Sequence, residues 1–356
     1  MKSIETHLHE AVAAGASDIL VISGIPISYK IGSTIVRTDE EMVMPASANI
    51  TVSELYRLAG REMERFEKTG DDDFPLSIPG LSRFRVSAYR QRGSMAAVIR
   101  VVAFDIPKPS DIGIPPEVMR IAELSHGLAL VAGPSGAGKT TTLACIIDAI
   151  NSDRSAHIIT IEDPVKFLHR NKKSAVSQRE IGSDTENYVT AMRACLRQTP
   201  DVIHLGEMRD YETICAAVTA AETGHLVLST LHTVGAVNTI DRIIDVFPPN
   251  QQAQIRIQLS QVLQTVVSQQ LLPTVDGGVV SVFEIMRLNN AIRNMIRESK
   301  THQIDSFIQS SAAEGMITMD SSIFAAWKSG KISSDTALKY SLHADQMEKR
   351  LAASGK

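Results

Sequence analysis

Aromatic residues are scarce in this sequence: tryptophan, tyrosine and phenylalanine make up 4% of 356 residues, with a single tryptophan. The cores are therefore expected to be aliphatic. Cysteine is scarce too. Cys145, Cys195 and Cys215 are far apart, odd in number and without any CxxC pair. That excludes a disulfide framework and gives no zinc or redox spacing, so they read as small buried residues of a reducing cytosol. No apolar run approaches the ~18 to 20 residues that a membrane helix needs. The start, "MKSIETHLHEAVAAG", places His and Glu where a signal peptide needs an apolar centre. A long basic block is missing, and the formal net charge is −4. This argues against a chain whose main affinity is for nucleic-acid phosphates.

What is present suits a soluble globular chain with two cores: 44% of the residues are apolar, over a length sufficient for two domains. Four prolines, Pro107, Pro109, Pro115 and Pro116, crowd "IPKPSDIGIPP". Proline fixes φ and removes backbone donors, so regular structure is expected to stop there. We take residues 1–106 as one domain, 107–118 as a linker and 119–356 as a second domain ending in a helical region. The first half mixes short elements. Residues 4 to 14 read as a helix, and "DILVISG" and "STIVRT" as strands. "TVSELYRLAGREMERFEKTG" carries helical periodicity up to Gly70, and "SRFRVSAYRQRGSMAAVIRVVAF" reads as a hairpin turning near Gly93. In the second half "GLALVAG", "HIITIE", "DVIHLGE" and "HLVLSTLH" alternate with helical stretches, the pattern of crossover units and a mainly parallel sheet. The expected fold class is α/β, a small α+β domain followed by a domain with a mainly parallel sheet.

One motif is complete. "GPSGAGKT", comprising Gly133, Pro134, Ser135, Gly136, Ala137, Gly138, Lys139 and Thr140, fits G-x-x-x-x-G-K-[ST] between a strand and a helix. Glycines let successive amides converge on phosphates, Lys139 brings a cation to the β and γ oxygens, and the Thr140 hydroxyl suits Mg²⁺. The helix N-terminus, with Thr141 in its first turn, adds partial positive charge. The chain is therefore expected to bind a nucleoside triphosphate, ATP rather than GTP, since no N-K-x-D-like stretch is present. Two further strands end in acids: "HIITIEDP" delivers Glu162 and Asp163, and "DVIHLGE" delivers Glu207. In open α/β sheets ligands sit outside the carboxyl ends of the strands. One acid there can polarise water and another can hold the water shell of the metal. "TGHLVLSTLHT" adds His225 and His232, imidazoles that near a γ-phosphate would distinguish ATP from ADP. His204, inside a strand, reads as core.

The order of these motifs, 133–140, 162–163, "GEMRD" at 206–210 and 223–233, resembles the secretion ATPase superfamily of type II secretion, type IV secretion and type IV pili. There the four stretches are called the Walker A, Asp, Walker B and His boxes. The nearest resemblance is to the retraction ATPases of type IV pili, which carry an "AIRNLIRE" helix where this chain has "AIRNMIRE" at 291–298. The similarity runs from "GASDI" at residue 15 to that helix and slightly beyond. It implies a PAS-like N-terminal domain, a RecA-like ATPase core and a ring of six subunits. By the same resemblance Glu162 activates water, Glu207 acts through magnesium-bound water, and His232 and His225 contact the nucleotide. Arg85, Arg92 and Arg100 match arginines that reach the nucleotide from the N-terminal domain. The implied cofactors are ATP and Mg²⁺. The implied partners are further copies of the chain and an inner-membrane pilus platform protein, with no nucleic acid, and the implied place is the cytoplasmic face of the inner membrane, reached through those partners.

Periodicity puts Ile292, Met295 and Ile296 of "AIRNMIRE" on an apolar stripe and Arg293, Asn294 and Arg297 on a polar face, which we take as an output surface. Met295 replaces the usual leucine, a volume-conserving exchange costing under ~1.5 kcal/mol. Ala137 and Thr140 stand where many members have serine, and both suit the mechanism. Assembly and secretion members commonly add an N-terminal domain and a four-cysteine zinc module, for which no CxxC pair exists here. A nucleic-acid translocase fits the acidic balance poorly, and a regulatory scaffold fits poorly with intact acids and arginines.

Overall fold

The computed structural model describes residues 2–32, 34–38, 41–102 and 106–354. Ser33 of the expected "STIVRT" strand, and Ala103 and Phe104 at the end of the expected hairpin, lie outside the described residues, as does the end of the expected first domain next to Ile106. The chain divides into two units, Met1–Asp105 with Lys166–Leu168, and Ile106–Val165 with His169–Lys356.

The first unit holds α1 (Ile4–Ala13), β1 (Asp18–Val21), β2 (Ser28–Ile31), β3 (Thr34–Arg37), α2 (Pro45–Ala59), α3 (Glu64–Thr69), β4 (Asp71–Ile78), β5 (Ser82–Gln91) and β6 (Ser94–Val102). Ser3 caps α1 by accepting from the Thr6 amide. The single helical run expected up to Gly70 is two helices. Gly60 adopts φ 60°, a left-handed geometry that closes α2, and Gly70 closes α3 in the same way. The strands form one antiparallel sheet in the order β3-β2-β1-β6-β5-β4. The β5–β6 hairpin turns through Arg92 at φ 47° and Gly93 at φ 79°, the positive-φ pair of a two-residue loop. One sheet face is buried with α1 and α2, and it gathers several of the scarce aromatics, Tyr56, Phe66, Phe74 and Phe84.

The second unit is larger. It contains α4 (Pro116–Met119), β7 (Gly127–Ala132), α5 (Lys139–Asp153), β8 (His157–Glu162), β9 (Ala175–Glu180), α6 (Tyr188–Cys195), β10 (Val202–Leu205) and α7 (Tyr211–Glu222). β11 (Leu226–Leu231), α8 (Ala236–Asp245), α9 (Pro249–Val262), β12 (Leu263–Pro273), β13 (Val279–Arg287) and α10 (Asn290–Arg297) follow, then α11 (Ile304–Ser310), α12 (Met319–Lys328), α13 (Ser334–Tyr340) and α14 (Ala344–Ser354). The sheet order is β13-β12-β7-β11-β10-β8-β9, parallel throughout except where β13 returns against β12. The central strands β7, β10 and β11 are buried along their whole length, as crossover helices on both faces require. Its cores are almost wholly aliphatic.

Residues 107–118, set apart on their prolines as a linker, belong to this second unit. They form a short 3₁₀ turn at Pro109–Ile112 and enter α4, while Ile114 and Val118 are buried with Ile146 and Ile147 of α5. Proline blocks long elements but suits the first turn of a helix. Cys145 and Cys195 are buried, and burial pushes both thiols up to about 11; Cys215 is half-buried. The carboxylate of Glu284 on β13 is buried and accepts from the first amides of two helices, Ala236 of α8 at 2.5 Å and Met319 of α12 at 3.1 Å.

Candidate nucleotide site

The apolar strand β7 stops at Ala132, and the next six residues form the loop that leads into α5. Gly133, Gly136 and Gly138 adopt φ values of 147°, 80° and 86°, conformations that a side chain would disfavour. Pro134, Ser135 and Gly136 are exposed, while Ala137 is buried. Lys139 is 7% exposed, and its ammonium donates to the carbonyls of Gly133 at 2.7 Å and Pro134 at 2.9 Å. Thr140 and Thr141 follow, half-buried in the first turn of α5. This cradle fits a triphosphate: amides at a helix N-terminus and a cation face the same hollow. The Thr140 hydroxyl beside the loop, and the Glu207 carboxylate acting through water, are the residue types that would suit a hard cation keeping phosphate and water ligands.

The acids sit along the same carboxyl edge of the sheet. Glu207 follows β10, two strands from β7, and Glu162 ends β8, three strands away, roughly 10 and 14 Å along that edge. Glu162 is 6% exposed, and its Oε1 accepts from the Thr160 hydroxyl at 2.7 Å. Glu207 accepts from Arg209 Nε at 2.6 Å and lies 3.2 Å from His232 Nε2. Thr230 donates to the Gly206 carbonyl at 2.7 Å and Met208 to the Thr230 carbonyl at 3.1 Å, which ties this acid-bearing turn to the end of β11. Tyr188 stands behind it, with its hydroxyl 3.0 Å from where a β-carbon on Gly206 would lie. Burial, and then the charges of Glu207, Asp163 and Glu162, push the phenol up, so it remains a neutral donor. Tyr188 and Thr160 carry no motif, and Arg209, although inside the "GEMRD" stretch, was given no role from the sequence.

His225 is corrected by the fold. It precedes β11, its carbonyl accepts from the Gly127 amide, and Leu226 pairs with Gly127 while Leu231 pairs with Ala132. It therefore lies at the amino edge of the sheet, a six-residue strand or about 20 Å from the loop. There its Nδ1 contacts the Ala220 carbonyl at 2.9 Å. Within this chain His232 is at the site edge and His225 is not.

Of the three arginines matched in the first unit, Arg85 and Arg100 lie side by side in the sheet and Arg92 is in the β5–β6 turn. Arg85 on β5 pairs directly with Arg100 on β6, a like-charge juxtaposition that costs stability. Arg100 is offset by Asp18 at 2.9 Å, whereas Arg85 and the exposed Arg92 make no ion pair among the described residues. The output face of α10 also changes. Asn289 caps the helix, Ile292 and Ile296 are buried, and Met295 is half-buried against the core. Arg293, however, reaches back across the end of α9, donating to the carbonyls of Ser260 at 2.6 Å and Gln261 at 2.9 Å and to Gln264 Oε1 at 3.1 Å. It satisfies orphan carbonyls of a helix end, so it belongs to the framework. Asn294 and Arg297 remain exposed.

Two imidazoles lie in the same unit behind the acids. His204 is 3% exposed, its Nδ1 has no partner among the described residues, and burial pushes its pKa down to about 4. His169 is also held at about 4, by burial first, with Glu162 opposing. Unfolded, both return towards 6.5. Between pH 6.5 and 4 the unfolded chain takes up protons that the folded chain refuses, so stability is full above that window and falls through it. Each histidine is worth about 3 kcal/mol across the window. Urea midpoints are expected to drop between pH 7.5 and pH 5, and His204→Leu should flatten the slope. An unchanged slope would contradict the assignment of the loss to this ring.

The fold and the site edge together define a P-loop nucleoside-triphosphate-binding protein with a mainly parallel sheet. A family model described as type II/IV secretion system protein matches residues 1–278, and the chain belongs to that family. The type IV pilus retractation ATPase PilT of Pseudomonas aeruginosa is 40% identical over 323 residues, 91% of this chain and 93% of its own. The twitching motility protein of Neisseria gonorrhoeae is 44% identical over 283 residues, 79% of this chain and 76% of its own. The solved structure of the pilus retraction motor PilT with bound ADP matches at a TM-score of 0.89 and 41% identity, over 98% of this chain and all of that one.

Proposed function

We propose that this chain is an ATPase motor that retracts type IV pili and so powers twitching motility. The observation that carries this reading is its likeness, over 91% of this chain, to a protein named as the retraction ATPase. The substrate is ATP, and its Mg²⁺ complex supplies the phosphoanhydride whose cleavage drives motion. Loop amides and Lys139 hold the phosphates, and Thr140, with Glu207 through water, would hold the Mg²⁺ that neutralises phosphate charge. Glu162 takes the proton of the attacking water, and His232 holds Glu207 in place. In a ring of six copies, Arg85, Arg92 and Arg100 of one copy meet phosphate charge on its neighbour, which makes hydrolysis depend on docking. The ring works at the cytoplasmic face of the inner membrane, held there by a pilus platform protein. The alternative, an assembly or secretion motor of the same family, shares this engine and differs in what the ring drives.

Asn294 and Arg297 are the face of α10 that delivers the output. The double variant Asn294→Ala/Arg297→Ala is expected to keep ATP turnover and the urea midpoint while abolishing twitching. Arg293→Ala is instead expected to lose about 2 kcal/mol of stability, because the carbonyls it caps lose a charged donor. Normal twitching in the double variant would remove α10 from the output path. An unchanged midpoint in Arg293→Ala would return that arginine to the open surface.

A further inference from the structure

Strand β12 runs parallel to β7, with Val267 beside Val131 and Ser268 beside Ala132. The next residue of each strand is Gln269 on one and Gly133, the start of the phosphate loop, on the other. Gln269 is 3% exposed. Its Oε1 accepts from the Thr142 hydroxyl at 2.7 Å, and Thr142, in α5, is itself fully buried. Its Nε2 lies against Gly138, where a β-carbon would stand 2.9 Å away. A β-carbon on Gly133 would overlap the Gln269 carbonyl oxygen. One residue of a neighbouring strand thus touches the loop where it begins, where it ends, and in the helix just after it.

We propose that Gln269 is a positioning residue for phosphate binding, a strut that keeps the loop in its binding shape before nucleotide arrives. The inference rests on the reading of residues 133–140 as the ATP site. A loop with three glycines at positive φ has little stiffness of its own, and ordering it costs conformational entropy. The Lys139 ammonium bridges the loop carbonyls, but that cation must turn to phosphate when nucleotide binds. The Gln269–Thr142 bond lies beneath the loop, within the core, and persists in both states. It therefore lowers the ordering cost of binding, the gain that preorganisation gives. Because Gln269 braces the loop and does not face the attacking water, the effect belongs to affinity for ATP and ADP alike and spares the chemical step.

Gln269→Met keeps the length of the side chain and removes its polar end, and Thr142→Val removes the hydroxyl at constant shape. Each is expected to raise the Kd for ATP and ADP, and the KM, about tenfold, short of the hundredfold that misplacement by ~1 Å can cost. The kcat at saturating ATP should stay within about twofold. The double variant should bind no more weakly than either single one, since both remove the same bond. Thr142→Ser, which restores the hydroxyl, should bind as the parent does, and it keeps the test open if Gln269→Met folds poorly. Lys139→Ala is the control. If it abolishes nucleotide binding while Gln269→Met and Thr142→Val bind normally, the strut is refuted and Gln269 only fills space. If Thr142→Ser and Thr142→Val are equally impaired, the hydrogen bond is not the cause and the proposal also falls. If Lys139→Ala binds normally, the loop assignment fails first.

Discussion

Lys139→Ala is expected to remove nucleotide binding and ATP turnover together. Lys139 is a buried residue whose ammonium already bridges the carbonyls of Gly133 and Pro134. Removing it takes away the cation that faces the β and γ oxygens and leaves those carbonyls without their donor. Interactions of this kind, made in a water-poor hollow to developing phosphate charge, are worth roughly a hundredfold to a thousandfold each. Titration with a fluorescent ADP analogue and a phosphate-release assay read the two effects on one preparation. Tight binding with lost turnover would mean that Lys139 serves only the chemical step, and full turnover would remove it from the site.

Glu162→Gln separates binding from chemistry. The amide keeps the size of the carboxylate and its side-chain oxygen still accepts from Thr160, but it cannot take a proton from water. General-base catalysis contributes about a hundredfold to ten-thousandfold, so turnover is expected to fall by roughly a thousandfold while ATP binding stays near normal. Single-turnover measurements with saturating ATP give the size of the fall. A loss within about tenfold would make Glu162 a structural acid, since removing a true base costs at least a hundredfold.

The part of the site that could be read directly was the part built from strand ends. Once a strand precedes the loop and parallel crossovers follow, Glu162, Glu207 and His232 all come to one edge of the sheet. The same eleven residues that gave His232 misplaced His225, because a full strand, Leu226–Leu231, separates the two rings and carries them to opposite edges. Arg293 was misjudged for another reason. Periodicity assigns a face to its Cα, but the side chain is long enough to fold over the end of α9 and cap carbonyls some thirty positions earlier in sequence. Gln269 and Tyr188 carry no motif, and Arg209 sits in the "GEMRD" stretch without a role that the pattern assigns. Gln269 is significant only because β12 lies beside β7, a pairing between segments 127 residues apart at the Thr142 bond, and no local pattern encodes it. Gly60 shows the limit of periodicity itself: it continued across a residue whose left-handed backbone ends the helix.

The central claim is that ATP hydrolysis by this chain removes pili from the cell surface. Surface pili are to be counted by electron microscopy in cells whose only copy carries Glu162→Gln, with twitching scored on the same cells. The account predicts abundant surface pili and no twitching, because assembly proceeds while retraction is blocked. Bald cells would contradict it and make the chain an assembly motor; normal pili with normal twitching would separate it from pili altogether.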